Sequence, residues 1–327
     1  MSWRRSDADP NFPMRPESIV SIQNLRKCYG EAEAVRGLSL EIFRGEFFGL
    51  LGPNGAGKTT TFGMLTGLIE PTGGSITING FDLLLRPKEL KARMGLVPQG
   101  FAFYPTLTAR ENATFFGRIY GLWGTSLTER INVVLESVGL RDRADQQVAT
   151  FSNGMKRRLN LALGLLHEPQ ILILDEPTVG VDTQSRNAIL ESLEALNQSG
   201  VTVLYTTHYI EEAQRLCHRV AILDYGKLIA LDTPAALIRG YGRSLIRIGF
   251  HEAFDETFLR ELECFGSVRI LDEQRRGIHL ETDRTEEALK DLLALRERRG
   301  ILFKSIDILE PNLETAFIHL TGRSLRD

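Results

Sequence analysis

The feature that most constrains the fold is a glycine-rich segment between an apolar run and a helical pattern. Residues 47–51 are continuously apolar, as expected for a buried parallel strand, and residues 59–68 have helical character. A strand, a glycine-rich loop and a helix in this order predict a polyphosphate site, because backbone N–H groups and the helix N-terminus favour anions. The loop consists of Gly52, Pro53, Asn54, Gly55, Ala56, Gly57, Lys58 and Thr59.

The last residues of this loop carry the chemistry that polyphosphate needs. In the eight-position phosphate-loop pattern, Lys58 reaches the β- and γ-phosphates and the Thr59 hydroxyl binds Mg²⁺. We include Thr60, the next residue, in the nucleotide site. A glycine-rich turn with a chance Lys-Thr pair is the alternative, and the placement between strand and helix argues against it.

Two adjacent acids end a second apolar run, residues 171–174. The side chains of Asp175 and Glu176 alternate across the strand end, so one can face a metal while the other faces attacking water. We assign Asp175 to Mg²⁺, through water, and Glu176 to polarising the hydrolytic water. Alone, such acids favour an ordinary turn or helix cap, but the phosphate loop favours catalysis.

The rest of the chain supports an α/β fold. Residues 18–82 are strand-rich, residues 105–150 have apolar spacing typical of a helical insert, and strands and helices then alternate as in a parallel sheet. From about Ser244 a new β-α-β-β-α rhythm begins. We therefore predict a flexible tail (1–17), a nucleotide-binding domain (18–241) and a small α+β accessory domain (242–327).

Composition excludes several other classes. A net charge of −3 over 327 residues argues against a broad nucleic-acid binder, although Lys156, Arg157 and Arg158 form a local basic patch. The three cysteines and six histidines lack metal-ligand spacing. No apolar run approaches the ~20 residues that span a bilayer, and the N-terminus lacks the apolar region of a secretion signal. We expect no membrane span and a cytoplasmic location.

A segment shortly before the acid-tipped strand, Phe151-Ser152-Asn153-Gly154-Met155-Lys156-Arg157-Arg158-Leu159, resembles the signature helix of ATP-binding cassette (ABC) ATPases. The chain resembles this family over nearly all of residues 18–241. The resemblance implies a phosphate-loop NTPase cassette with an antiparallel β subdomain and a helical insert, using ATP and Mg²⁺. It also implies that Ser152 and Gly154 contact the γ-phosphate bound by the opposite subunit of a head-to-tail dimer.

This signature departs from the usual Leu-Ser-Gly-Gly-Gln at three positions, which are Phe151, Asn153 and Met155. Asn tolerates left-handed backbone conformations, so we expect the loop to keep its shape. The same segment could also be read as an ordinary N-cap followed by a basic amphipathic helix. Its position in the chain favours the signature.

Further matches to the family complete the predicted site. The resemblance implies that Tyr29 stacks on adenine, that Gln99 contacts Mg²⁺ and attacking water, and that His208 contacts the γ-phosphate and holds Glu176. Asp182 matches the loop that crosses the dimer interface. A lone tyrosine or histidine at a strand end is more often structural, and only the order of the motifs favours these roles.

A motor of this kind acts on a partner. The resemblance implies a homodimer, or a heterodimer with a second such ATPase, on the cytoplasmic face of the inner membrane with a separately encoded permease. Phe101, Phe103, Tyr104 and residues 106–120 are candidates for the permease surface, with subdomain core as an equal alternative.

Residues 110–122 and 310–323 resemble the drug-resistance and nodulation-factor export branch, which favours export and leaves the substrate open. We considered two other classes of protein. A soluble ABC ATPase acting on ribosomes or DNA would share the ATP site but usually has two cassettes or long coiled coils. A phosphate-loop kinase or GTPase leaves residues 151–159 and His208 unexplained.

Overall fold

The computed structural model describes residues 17–272 and 274–322, and the chain divides into two compact units, Met1–Leu228 and Ile229–Asp327. The predicted N-terminal tail lies outside the described residues, except for Glu17.

The first unit contains two sheets. Its strands are β1 (Ser18–Tyr29), β2 (Ala32–Phe43), β3 (Phe47–Leu51), β4 (Gly73–Ile78), β5 (Phe81–Asp82), β6 (Met94–Val97), β7 (Ile171–Asp175), β8 (Thr202–Thr207), β9 (Arg219–Asp224) and β10 (Lys227–Asp232), the last crossing the boundary between the units. Its helices are α1 (Lys58–Leu65), α2 (Pro87–Lys91), α3 (Ala109–Ile119), α4 (Gly124–Ser137), α5 (Asn153–Gly164), α6 (Thr183–Gln198) and α7 (Ile210–Leu216).

The larger sheet positions the functional residues. Its strand order is β10-β9-β3-β8-β7-β6, and β9, β3, β8, β7 and β6 are parallel. Strands β3, β7 and β8 are buried along their whole length, which explains the continuous apolar runs of β3 and β7. Their carboxyl ends lie at one edge of the sheet, where open α/β sheets bind ligands.

The smaller sheet is antiparallel, with the order β2-β1-β4-β5, and forms the predicted antiparallel subdomain. The predicted helical insert contains α3 and α4, followed by two short 3₁₀ turns at Arg141–Arg143 and Val148–Thr150. Helix α3 begins at a capping box, in which Thr108 and Glu111 each bond to the other's backbone N–H. The predicted fold class is therefore confirmed.

The second unit is a small α+β domain. It contains α8 (Pro234–Tyr241), β11 (Ser244–Phe250), α9 (Glu256–Leu262), β12 (Ser267–Ile270), β13 (Gly277–Thr282), α10 (Thr285–Arg299), β14 (Phe303–Leu309) and α11 (Leu313–Thr321). The antiparallel sheet has the order β12-β13-β11-β14, so β11 to β14 form a split β-α-β arrangement. Within this unit, which begins at Ile229, α8 packs against α11.

Candidate active site

The phosphate loop joins β3 to α1 in a conformation that only glycine adopts easily. Gly57, the residue before α1, has φ 96°, and a Cβ there would lie 2.6 Å from the carbonyl oxygen of Ala34. The Nζ of Lys58 donates to the carbonyl oxygens of Gly52 at 2.6 Å and Pro53 at 3.1 Å. Lys58 is only 6% exposed, so its ammonium group is held within the loop.

The other loop residues differ in how far they are exposed. Asn54 and Gly55 are exposed, while Thr59 is exposed and Thr60 half-buried on the first turn of α1. Ala56 is buried; its N–H donates to Pro53 at 3.1 Å, and its carbonyl accepts from Gly226 N–H at 3.1 Å. The loop is therefore held in place from both sides.

Asp175 lies at the end of β7, directly opposite Thr206 of β8. The Thr206 hydroxyl donates to its Oδ1 at 2.6 Å, and Thr59 also bonds to this carboxylate. Burial raises the pKa of Asp175, and the neighbouring charge of Glu176 acts in the same direction, while Thr206 and Lys58 oppose it. Burial lowers the pKa of Lys58, whereas the negative charges of Glu176 and Asp175 raise it.

Glu176 lies at the centre of the cluster. Its Oε2 accepts from Gln99 Nε2 at 3.2 Å and lies 3.3 Å from His208 Nδ1, while its Oε1 lies 3.8 Å from Lys58 Nζ. Its backbone has φ 46°, an uncommon conformation for a residue other than glycine, and its N–H donates to both the carbonyl and the hydroxyl oxygen of Thr206. Three predicted catalytic residues are thus brought into direct contact.

The oxygen donors beside the loop fit a magnesium ion. Asp175 supplies a carboxylate, Thr59 a hydroxyl and Gln99 an amide oxygen, and Mg²⁺ prefers such ligands together with substrate phosphates. The described residues contain no cluster of three or more His, Cys, Asp or Glu. A cation would also offset the unfavourable burial of the Asp175 charge.

The signature residues make their contacts at a different place from this cluster. Ser152 caps α5 and accepts from Met155 N–H at 3.2 Å. Gly154 is buried against the first turn of α6, where an added Cβ would overlap the side chain of Ser185. Asp182 caps that helix by accepting from Ser185 N–H at 2.9 Å.

Tyr29 lies at the end of β1, and its side chain is 52% exposed. The Nζ of Lys27 lies 5.2 Å from the centre of its ring. An exposed ring at this position is open to stacking by a planar group.

Two residues of this site were not recognised as functional in the sequence. Thr206 bonds to both acids, and the signal for it was the strand alternation that puts β8 beside β7 in register. Arg157 belongs to a basic patch in the sequence, yet it is buried and contacts the backbone of Gln99 and Val179. Its spacing from the buried residues Gly154 and Leu161 was the available signal.

Comparison with known proteins identifies the family. The ABC transporter family model matches residues 35–179. The linearmycin resistance ATP-binding protein LnrL of Bacillus subtilis is 44% identical over 94% of this chain and 100% of its own length. The Nod factor export ATP-binding protein I of Paraburkholderia xenovorans is 38% identical over 95% of this chain and 100% of its own length. The predicted resemblance to the drug-resistance and nodulation-factor export branch is confirmed.

Solved structures agree with this result. The ATP-binding subunit of an ABC transporter has a TM-score of 0.63 and 30% identity, over 68% of this chain and 93% of its own. The ATP-binding cassette MJ0796, described as dimeric in a post-hydrolysis state with ADP and Pi, has a TM-score of 0.61 and 28% identity, over 65% and 98%. No helix in the described ranges has the length and apolar character to cross a bilayer. The chain belongs to the ABC transporter family and is one of its ATP-hydrolysing subunits.

Proposed function

We propose that this chain powers export through a separate membrane permease, by ATP-dependent pairing of two cassettes. The observation that carries the proposal is the Glu176 carboxylate, which contacts Gln99, His208 and Lys58 beside the phosphate loop. Relatives named for linearmycin resistance, daunorubicin resistance and Nod factor export support the direction of transport. The transported substrate is left open.

The cluster suggests how its residues divide the chemistry. Glu176 polarises the attacking water, and Gln99 and His208 hold its carboxylate from one side. Lys58 neutralises charge on the β- and γ-phosphates while water bonds to the γ-phosphorus and the bond from that phosphorus to the bridging oxygen breaks, so that ADP leaves with the electron pair. Asp175, Thr59 and Gln99 are the residues that would hold Mg²⁺, which supplies charge neutralisation at the phosphates when it is bound.

A second subunit completes each site in this proposal. Ser152 is exposed, and Ser152 and Gly154 contact α5 and α6 rather than Glu176, which supports a role toward ATP on the opposite subunit. Asp182 caps α6 beside them and lies on the same interface. The pair is a homodimer or a heterodimer with a second ABC ATPase. Tyr29 stacks on the adenine of the same chain.

The permease binds the aromatic surface around α3. Phe101, Tyr104, Phe115 and Ile119 are all exposed, which favours an interaction surface over the alternative of a subdomain core. An open groove beside them is lined by Glu111, Thr114, Phe115, Arg118, Ile119 and Trp123. Binding there would place the chain peripherally on the cytoplasmic face of the inner membrane, with no nucleic-acid partner.

The accessory domain supports dimer contacts or regulation, and residues 18–241 carry the nucleotide chemistry. Every residue assigned to the ATP site precedes Leu228.

The central experiment compares ATP hydrolysis by the wild type and Glu176→Gln. We expect kcat to fall at least about 100-fold, since a positioned general base contributes that much, and ATP to trap a stable dimer of the variant. Co-expression with its membrane permease should stimulate ATP hydrolysis by the wild type.

Glu168→Gln is the matched control, because this exposed carboxylate pairs with Arg130 at 3.2 Å and has no place in the site. Hydrolysis that survives Glu176→Gln would remove Glu176 as the base. A chain that binds ribosomes and no membrane protein would contradict the transport role.

A further inference from the structure

We propose that Arg157 is a positioning residue for hydrolysis, which acts by holding Gln99 and the turn after Glu176 in one arrangement. The inference rests on the proposed function. The guanidinium Nη1 of Arg157 donates to the carbonyl oxygen of Gln99, and its Nη2 donates to the carbonyl oxygen of Val179 at 3.3 Å. Glu176 is therefore held between two segments that one side chain joins.

The first of these segments reaches the catalytic carboxylate through Gln99. The Gln99 backbone is fixed by Arg157, and its side-chain Nε2 donates to Glu176 Oε2 at 3.2 Å. The second segment is a turn in which Val179 N–H donates to the carbonyl of Glu176 at 3.3 Å. A shift of Arg157 would move the Gln99 side chain that contacts the Glu176 carboxylate and the turn that holds the Glu176 backbone.

Helix α5 strengthens this hold with a second residue one turn further along. Asn160 Nδ2 donates to the carbonyls of Pro98 at 3.2 Å and Gly100 at 3.3 Å, and its Oδ1 accepts from Ala102 N–H at 3.0 Å. Together, Arg157 and Asn160 bond to the backbone at four of the five positions from 98 to 102. Residues 98–102, which include Gln99, are thus attached to the signature helix α5.

The chemical identity of the residue supports a functional role. Arg157 is only 8% exposed, and its bonds go to neutral carbonyls rather than to a carboxylate. Burying a charge is costly, and an apolar residue of similar volume would stabilise such a site as well. A planar fork that reaches two carbonyls at once gives geometric control that an apolar side chain lacks.

The same guanidinium group also reaches the aromatic surface. It lies 4.9 Å from the centre of the Phe101 ring, a cation–π distance, and Phe101 stacks on Phe103. Phe101 is exposed on the proposed permease surface. A continuous set of contacts therefore runs from that surface through Arg157 and Gln99 to Glu176.

The test measures kcat, the KM for ATP and ATP-dependent dimerisation for Arg157→Gln. We expect kcat to fall about tenfold, because sub-ångström misplacement of catalytic groups costs this much or more, with KM changed less than about twofold. An Arg157→Gln, Glu176→Gln double variant should still form the ATP-trapped dimer. A merely structural role in the signature helix would weaken that dimer.

Arg158→Gln is the matched control. Arg158 is the next residue of α5 and also donates to two backbone carbonyls, those of Val138 at 2.9 Å and Gly139 at 3.2 Å, but within the helical insert. We expect it to retain wild-type kcat. Equal losses of kcat in the two variants would overturn the proposal.

A double-mutant comparison shows whether Arg157 acts through Gln99. In a Gln99→Ala background, Arg157→Gln should lower kcat little further, because residues in one network are not additive. If the two substitutions lower kcat by factors that multiply, the proposal is overturned.

Arg157→Lys keeps the charge but lacks the planar fork of the guanidinium, so it should fold and lose kcat even if Arg157→Gln does not fold. Wild-type kcat in Arg157→Lys would also overturn it.

The proposed function can fail separately from this inference. A wild type without ATPase activity, or one whose activity is unchanged by Glu176→Gln, would contradict the proposed function. An active wild type that needs Glu176 and tolerates Arg157→Gln contradicts only the role of Arg157.

Discussion

At the scale of single residues, the site depends on two adjacent acids with different assigned roles, Asp175 for the metal and Glu176 for the attacking water. The Thr206 hydroxyl donates to Asp175 and accepts from the backbone N–H of Glu176. One side chain therefore fixes the carboxylate assigned to the metal and the left-handed backbone of the assigned base. Such a backbone costs energy and persists only where its surroundings fix it.

Replacing Thr206 with Val should test this arrangement. The shape is kept, but the buried Asp175 carboxylate loses the hydroxyl donor and the Glu176 N–H keeps only its bond to the carbonyl of residue 206, which costs about 1–3 kcal/mol of unfolding free energy. We expect kcat to fall about tenfold because both acids lose their fixed orientation. Steady-state ATPase assays and thermal unfolding measure the two effects.

Thr202→Val provides the control for this substitution. Thr202 lies on the same strand, is equally buried, and accepts from Gly45 N–H at 2.9 Å at the opposite end of the sheet. Its loss should lower stability by a similar amount and leave kcat unchanged. If both variants lose kcat equally, the effect comes from stability and Thr206 has no special role.

The sequence predicted the residues whose roles follow from local order, and it did not predict those set by neighbours in space. Lys58 follows a recognisable loop, and Asp175 and Glu176 end an apolar strand. Thr206 and Arg157 act through a strand register and a helix rotation, and neither is visible in a local pattern. A basic residue next to two others is read as exposed, although the structure buries Arg157.

At the scale of elements, the close contact between α5 and α6 depends on a residue without a side chain. Gly154 is buried against Ser185, and the Ser152 and Asp182 caps begin the two helices beside it. The same glycine is assigned to contact with ATP of the opposite subunit. A substitution there therefore affects helix packing and, in our proposal, dimer formation.

Gly154→Ala should separate these two effects. The added Cβ overlaps Ser185, so the helices must move apart at a cost of about 1–3 kcal/mol. Ser185→Gly in the same chain removes the overlapping atoms and should recover much of the stability, minus about 1 kcal/mol for a glycine within a helix. Chemical unfolding of the single and double variants gives these values.

The ATP-trapped dimer of the Glu176→Gln background is the second measurement. We expect Gly154→Ala to abolish it and Ser185→Gly not to restore it, because the methyl group remains on a residue that, in our proposal, contacts the nucleotide of the opposite subunit. Restoration of the dimer would mean that Gly154 acts through packing alone. Gly240→Ala, a helical glycine with open space around its Cβ position, controls for the substitution itself.

The helices and strands were largely predictable from the sequence, whereas the way in which distant ones pack together was not. Continuous apolar runs marked β3 and β7, and helical spacing marked the insert. The packing of α8 on α11 joins segments that are distant in the sequence, and no local pattern predicts it.

At the scale of the whole molecule, the residues assigned to ATP all lie in the first unit, and the second unit has its own core. That core includes Ile246, Ile248, Phe250, Phe258 and Leu280, which lie on the sheet and α9. A unit with its own core can in principle fold alone. Nucleotide binding should therefore not require the second unit.

A chain that ends after Tyr241 should bind ATP with nearly the affinity of the full chain. The cut removes α11, which packs against α8, so buried Leu237 becomes exposed and solubility should fall. A second cut after Asp232 keeps β10 at the edge of its sheet and removes α8, which avoids this exposure. Titration with a fluorescent ATP analogue measures affinity, circular dichroism reports folding, and Lys58→Ala in each truncation supplies the background. If a folded truncation loses ATP binding, the second unit contributes to the nucleotide site, and the division of labour proposed for the two units is wrong.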